Sequence, residues 1–248
     1  MRIRKIALGL FAILALNNAQ AMDITLGLGA ENAKTTIKDL QVLNQMDNSK
    51  SISEQTKNNQ DMYFDISLNF YNNPDNAFVS SHLAADITAS YSKNKLSIEQ
   101  NNYFTLENYN LPAIDVFNFG AGVADLKWAN HRPNSVQLDL AGYTLNSDEN
   151  NETIPSTYYL KAGAWKGFGR DALKYDYKIG NNNYRSHCVA YTFAVPQTDF
   201  GFNLSLESEK VNVLTNGGVW RDDRYIATES FEVKNKSIKL GVIKHFSF

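Results

Sequence analysis

From residue 61 onward the chain alternates apolar and polar residues with a period of two, in one segment after another. Phe64, Ile66, Leu68 and Phe70 interleave with Asp65, Ser67, Asn69 and Tyr71. Leu83, Ala85, Ile87, Ala89 and Tyr91 interleave with His82, Ala84, Asp86, Thr88 and Ser90. The pattern returns at Phe117, Phe119, Ala121 and Val123, and at Val136, Leu138 and Leu140 against Gln137 and Asp139. Tyr158, Leu160, Ala162 and Ala164 oppose Tyr159, Lys161 and Trp165, and Leu173, Tyr175, Tyr177 and Ile179 oppose Lys174, Asp176 and Lys178. Val189 to Val195 and Phe200 to Leu206 repeat it, the latter against Asn203, Ser205 and Glu207. A helix would bring apolar residues back at three and four, so this spacing predicts half-buried strands. The prolines at 74, 112, 133, 155 and 196 fall between the runs, where no ladder hydrogen bond is lost.

The two ends of the chain turn that pattern into an architecture. Stepping back by two from Phe248 gives Phe246, Lys244, Val242, Leu240 and Ile238, an apolar stripe with one interruption. A strand that closes the chain on an aromatic residue resembles the assembly signal of bacterial outer-membrane β-barrels, carried here by Val242, Phe246 and Phe248. Lys244 departs from that pattern. At the other end, Met1-Arg-Ile-Arg-Lys5, the apolar run Ile6–Leu16 and Ala19-Gln20-Ala21 have the three parts of a secretory signal peptide. Residues 1–21 are expected to be the signal and 22–248 one barrel domain. The apolar run is shorter than the ~20 residues a membrane helix needs. Any crossing therefore falls to strands, and the expected fold is an all-β, antiparallel transmembrane barrel.

An even strand number, short turns at the end holding both termini and longer loops at the other end constrain the count. Strands at 23–30, 61–71, 77–91, 115–128, 134–146, 156–167, 171–179, 184–195, 199–211 and 234–248 satisfy all three, giving ten. Segments 33–45, 95–106 and 224–234 are ambiguous, and promoting the first two to strands gives twelve. In the ten-strand reading 31–60, 92–114, 147–155, 180–183 and 212–233 are external loops.

Composition changes this picture little. The net charge of −2 offers no basic footprint for nucleic acid. The 13 Tyr and 14 Phe suit half-exposed strands and interfacial girdles. A mean hydropathy of −0.38 is compatible with a barrel, because only alternate strand residues touch lipid. The single Cys188 excludes an intramolecular disulfide and is expected to be buried and unpaired.

With the apolar stripes outward, the interior receives Asp65, Asp86, Asp139, Asp176 and Glu207 as acids. Lys161, Lys174, Lys178 and Lys239 are its bases, with His82 and His245 alongside. A selective pore would show one dominant sign along its wall. Near balance instead predicts a paired network filling a narrow lumen, with Lys161, Lys174 and Lys178 meeting Asp139, Asp176 and Glu207 across neighbouring strands.

Patterns for chemistry are sparse. His245-x-Ser247 superficially resembles the His-x-Ser pair of lipid A deacylase barrels but sits at the wrong rim. Asp222-Asp223, with His187 at a strand end, falls short of the paired acids and His-Asp pair of omptin-type proteases. Asp148, Glu149 and Glu152 match no ordered calcium loop, and Trp220 reads as an interfacial tryptophan. No catalytic residue, cofactor or metal is expected. The whole chain resembles small Gram-negative outer-membrane barrels, including YfaZ-type porins. That resemblance implies a porin-like channel for small solutes, or a structural barrel without catalysis. Its partners would be outer-membrane lipid, lipopolysaccharide and the assembly machinery. The alternative is an adhesin or receptor acting through loops 31–60, 92–114 and 212–233.

Overall fold

The computed structural model describes residues 21–44, 50–72, 81–92, 95–107, 112–128, 137–140, 143–146, 157–214, 224–226 and 230–247. Its elements, in chain order, are β1 (Ala21–Asn44), β2 (Lys50–Asn72), β3 (Ser81–Ser92), β4 (Lys95–Glu107), β5 (Val116–Trp128), β6 (Gln137–Leu140) and β7 (Tyr143–Asn146). Then come β8 (Thr157–Phe168), β9 (Asp171–Gly180), β10 (Arg185–Ala194), β11 (Phe200–Leu214), β12 (Arg224–Ile226) and β13 (Ser230–Ser247). Among the described residues there is no helix.

Ten of these strands close a barrel in the order β1-β2-β3-β4-β5-β8-β9-β10-β11-β13, with β13 returning to β1. Every pairing is antiparallel. Closure matters because, up to the level at which β3 ends, each strand is paired on both edges, so no ladder of N–H and C=O groups is left free there. Asp23 pairs with Ser247, which defines a terminal end of the barrel holding both ends of the closing seam. The opposite end is called the far end below.

Turn chemistry follows residue type. Gly169, at a φ of 69°, turns β8 into β9 within two residues, as a first-position glycine does in a hairpin turn. Between β9 and β10, Asn182 and Asn183 both adopt positive φ, a region asparagine tolerates better than most residues. The Asn181 side chain accepts a hydrogen bond from the Tyr158 N–H at 2.8 Å, tying that turn to β8.

The expected ten strands are present, but two memberships differ. Segment 95–106, expected as loop, is β4 and pairs along its length with β3 and β5. Of segment 134–146, expected as one crossing strand, the described residues instead form the β6–β7 hairpin, whose two arms pair with each other and, among the described residues, with no barrel strand. Arms of four residues are too short to span the wall, which takes 9–11. The two differences cancel in the count and reverse the direction assigned to β5. Residues 33–44 continue β1 and 50–60 form the first half of β2, so these are wall and not loop. The wall is uneven as a result: Gly29 is level with Tyr63 and Ser92, where β3 ends, yet β1 runs on to Asn44. Residues 30–44 add about 50 Å of strand at ~3.3 Å per residue. Of the expected signal segment 1–21, residues 1–20 lie outside the described residues, as does Phe248, while Ala21 opens β1.

Alternation puts one set of side chains outward and the other inward. Outward are large apolar residues such as Leu28, Phe64, Ile98, Phe119, Leu160, Phe202, Leu204 and Leu240, all exposed. A soluble protein rarely shows so continuous an apolar surface. Inward are Tyr63, Glu99, Lys161, Asp176 and Glu209, all buried or nearly so.

Candidate functional site: the barrel lumen

Inward positions of β4, β8, β9 and β11 carry most of the charge. Lys95, at the start of β4, reaches Glu209 at 2.6 Å and Glu207 at 3.4 Å on β11. These strands are five steps apart in either direction around the ten, so the lysine spans the full width of the lumen. Tyr184 donates its hydroxyl hydrogen to the other oxygen of Glu209 at 3.0 Å. The side chains of Lys95 and Glu209 are 7% and 0% exposed, so this bridge is dry on both sides.

A second cluster lies beside the first. Lys178 on β9 pairs with Glu99 on β4, again across the lumen, with its ammonium over the Tyr159 ring. Tyr159 donates to Asn101 Oδ1 at 2.7 Å, and Asn101 Nδ2 donates to Asp86 Oδ1 at 2.7 Å. Lys161 Nζ sits 3.7 Å from Asp176 and 3.9 Å from Asp86, and Lys174 is 3.0 Å from Asp176. Nearer β2, Lys239 pairs with Asp65 at 3.4 Å and donates to Ser90 at 2.8 Å. Buried charge is tolerated only when paired and hydrogen-bonded, and each of these lysines has a carboxylate.

Small inward residues make room for these long side chains. A Cβ on Gly163 would stand 2.3 Å from Asp176 Oδ1, and one on Gly122 would meet the Tyr159 ring at 2.7 Å. The remaining space is a cavity of about 310 Å³ lined by polar groups including Ser67, Asn69, Asn203 and Cys188. Side-chain exposure rises from 4% at Lys161 to 30% at Asp65 and 45% at Lys174, which lies near the start of β9. The charged section is therefore most accessible at Lys174, towards the terminal end. Towards the far end apolar side chains join the inner wall: Ala33, Ala124, Leu126, Val211, Phe231 and Val233 are each 1–3% exposed, beside the buried Asn235 and Thr157.

Of the residues expected inside, Asp65, Asp86, Lys161, Lys174, Asp176, Lys178, Glu207 and Lys239 all line the cavity. Asp139 does not belong to the wall, because it sits on β6 opposite Thr144 in the separate hairpin. The expected pairing pattern also needs correction. Lys161 faces Lys178 directly on the neighbouring strand, and Glu207 bonds Lys95, not Lys174 or Lys178. In so narrow a ring a lysine reaches the opposite wall as easily as the next strand, so like charges can sit side by side while their partners stand across. Lys95, Glu99, Asn101 and Glu209 escaped the sequence reading. Lys95, Glu99 and Asn101 had a signal in the polar alternation Lys95, Ser97, Glu99, Asn101 on a segment left as loop, whereas Glu209 lay within the expected strand 199–211.

Other candidates disperse. His245 is exposed at the terminal end, 2.9 Å from Thr25 Oγ1, and the Ser247 side chain lies outside the described residues. His187 faces outward between Tyr175 and Tyr177. The side chain of His82, and Asp148, Glu149, Glu152, Trp220, Asp222 and Asp223 entirely, lie outside the described residues. Cys188 is free and half-buried at the cavity wall. Among the described residues no His, Cys, Asp and Glu gather as a metal site.

No protein-family model matches the chain, so the YfaZ-type likeness gains no support, and no characterised protein matches it in sequence. Among solved structures it is similar to an outer membrane channel from Pseudomonas putida F1, at 11% identity and a TM-score of 0.40, over 92% of this chain and 96% of that one. It is also similar to the outer membrane protease OmpT from Escherichia coli, at 9% identity and a TM-score of 0.29, over 92% and 97%. A Pseudomonas aeruginosa FadL homologue follows at 9% and 0.27, over 93% of each chain. None is close enough to lend an activity.

Proposed function

We propose that the chain is an outer-membrane barrel of a Gram-negative bacterium, exported by its amino-terminal signal, with the terminal end in the periplasm. Its lumen is occluded in the resting form. Within the porin-like or structural reading, the geometry favours the structural one: a wall-supporting barrel with a blind polar vestibule on the periplasmic side and no catalysis of its own. The observation that carries this is the Lys95 bridge, which joins opposite walls to Glu209 with almost no solvent exposure, and to Glu207 at 17%. An open pore would leave water between its charged walls. The test is cell fractionation with heat-dependent electrophoretic mobility, followed by solute efflux from liposomes carrying the refolded protein. Outer-membrane recovery, a heat-shifted band and efflux no faster than empty liposomes are expected. Recovery in the soluble fraction would overturn the location, and rapid efflux of small sugars would overturn the occlusion.

The adhesin reading keeps one observation in its favour. β1, β2, β11 and β13 rise beyond the level at which β3 ends, giving a one-sided extension at the far end. Deleting residues 40–52 and measuring cell or phage attachment tests it, and unchanged attachment would remove it.

A further inference from the structure

The outward face of β10, β11, β13 and β1 changes character within a few residues. Phe193, Phe202, Val242 and Leu28 form one row across the four strands, and Tyr191, Leu204, Leu240 and Ala30 form the next. Val189, Leu206, Ile238 and Asn32 follow towards the far end. The next row is His187, Ser208, Lys236 and Lys34, and after it Arg185, Lys210, Lys234 and Thr36. Lys34 thus faces Lys236, and Lys210 faces both Arg185 and Lys234. Like charges directly opposite destabilise a sheet. Glu232 relieves part of this by pairing with Lys210 and Lys234. Lys34, Lys236 and Arg185 have no carboxylate partner among the described residues. Between these rows lies a groove of about 520 Å³, whose floor includes Val189, Leu206 and Ile238 and whose rim includes Lys34, Lys236 and His187.

An apolar floor below a row of unneutralised cations fits an anionic amphiphile, with acyl chains along the floor and phosphate at the lysines. Resting on the location and orientation proposed above, which put this rim at the outer leaflet, we infer that the groove is a binding site for a phosphorylated acyl glycolipid of that leaflet. The phosphate supplies the countercharge for Lys34 and Lys236, which have no carboxylate partner among the described residues. The acyl chains supply the contact that free phosphate cannot, so the site selects lipid over the inorganic anion.

The test uses the full mature barrel refolded in detergent micelles, with bound lipid counted by native mass spectrometry. The probes are bis-phosphorylated lipid A, the same lipid dephosphorylated, and inorganic phosphate. The proteins are wild type, the double variant K34Q/K236Q, and K244Q, which removes an outward lysine near the terminal end. Wild type and K244Q should prefer the phosphorylated lipid, and the double variant should lose roughly 30-fold of that preference, at about one lysine–lipid interaction per residue removed. Millimolar inorganic phosphate should not displace the lipid. Equal binding of both lipids by wild type, an unchanged preference in K34Q/K236Q, an equal loss in K244Q, or displacement by phosphate would each overturn the site. These failures leave the heat-shifted mobility intact, whereas failure of the membrane reading removes it.

Discussion

The two ends of the wall are built on opposite plans. Around Lys161, Asp176 and Glu207 the barrel is polar inside, while the outward neighbours Leu160, Tyr175 and Leu206 are apolar and exposed. Towards the far end the order inverts: Val211, Phe231 and Val233 are buried inside while Lys210, Lys234 and Lys236 point out. The first arrangement suits a wall with lipid outside and water or paired charge within. The second is that of a soluble sheet, apolar inward and polar outward. The crossover falls near Ser208 and Lys236, where a strand keeps its period of two but exchanges which face is greasy. On the proposed location the inversion marks the membrane boundary, and it places buried apolar side chains of β11 and β13 beyond the ion-paired section.

The largest effect is expected where the charged plan is driest. Lys95→Ala removes the ammonium bridged to both Glu207 and Glu209, leaving Glu209 the neutral Tyr184 hydroxyl, and should cost ~3–5 kcal/mol, read as a lowered denaturant midpoint of the refolded barrel. An unmoved midpoint would mean that section is wet. Next, the boundary itself can be tested with one substitution on each side. Leu240→Lys, in the apolar belt, should cost about 2–4 kcal/mol in bilayers. Ser208→Lys, at the crossover, should cost no more than about 1 kcal/mol, from repulsion by Lys236 directly opposite. Equal costs would abolish the inversion.

Lys161→Ala should fall below Lys95→Ala, at about 1.5–3 kcal/mol. Its carboxylates keep other partners, since Asp176 retains Lys174 at 3.0 Å and Asp86 retains Asn101 at 2.7 Å. A cost above that of Lys95→Ala would show that the pairs are ranked wrongly. The smallest effect lies at the terminal end, ahead of β5. There Lys166 and the Gly167 N–H bond the Asp115 carboxyl at 2.6 and 2.8 Å and hold it below the usual carboxylate range. Its contribution is present above the ordinary carboxylate pKa and fades as pH falls through the lowered native value. Asp115→Asn should therefore lower the midpoint slightly at neutral pH and leave it unchanged in strong acid. A difference that persists in acid would deny the charge effect.

How far the sequence reads depends on which face carries the signal. Strands such as β11 announce themselves because Phe200, Phe202, Leu204 and Leu206 are uninterrupted on one face. β4 hides because Gln100 and Asn102 break its outward stripe of Leu96, Ile98, Phe104 and Leu106. Losing it removed Lys95 and Glu99, two of the residues that cross the lumen. Val136, Leu138 and Leu140 alternate as a barrel strand would, yet β6 pairs with β7 and, among the described residues, with no strand of the barrel. Periodicity reports a strand and says nothing of what it pairs with. The inward charges were legible one by one, but their partners were not, because pairing across a ring depends on shear and strand order and not on sequence spacing.

The central claim is that the lumen is shut by Lys95 and the apolar section beyond it. Current through a planar bilayer containing single refolded barrels tests it most directly. Wild type should show no stepwise conductance under applied voltage, and Lys95→Ala should show more openings than wild type. Regular conductance steps from the wild-type barrel, unaltered by Lys95→Ala, would contradict the account.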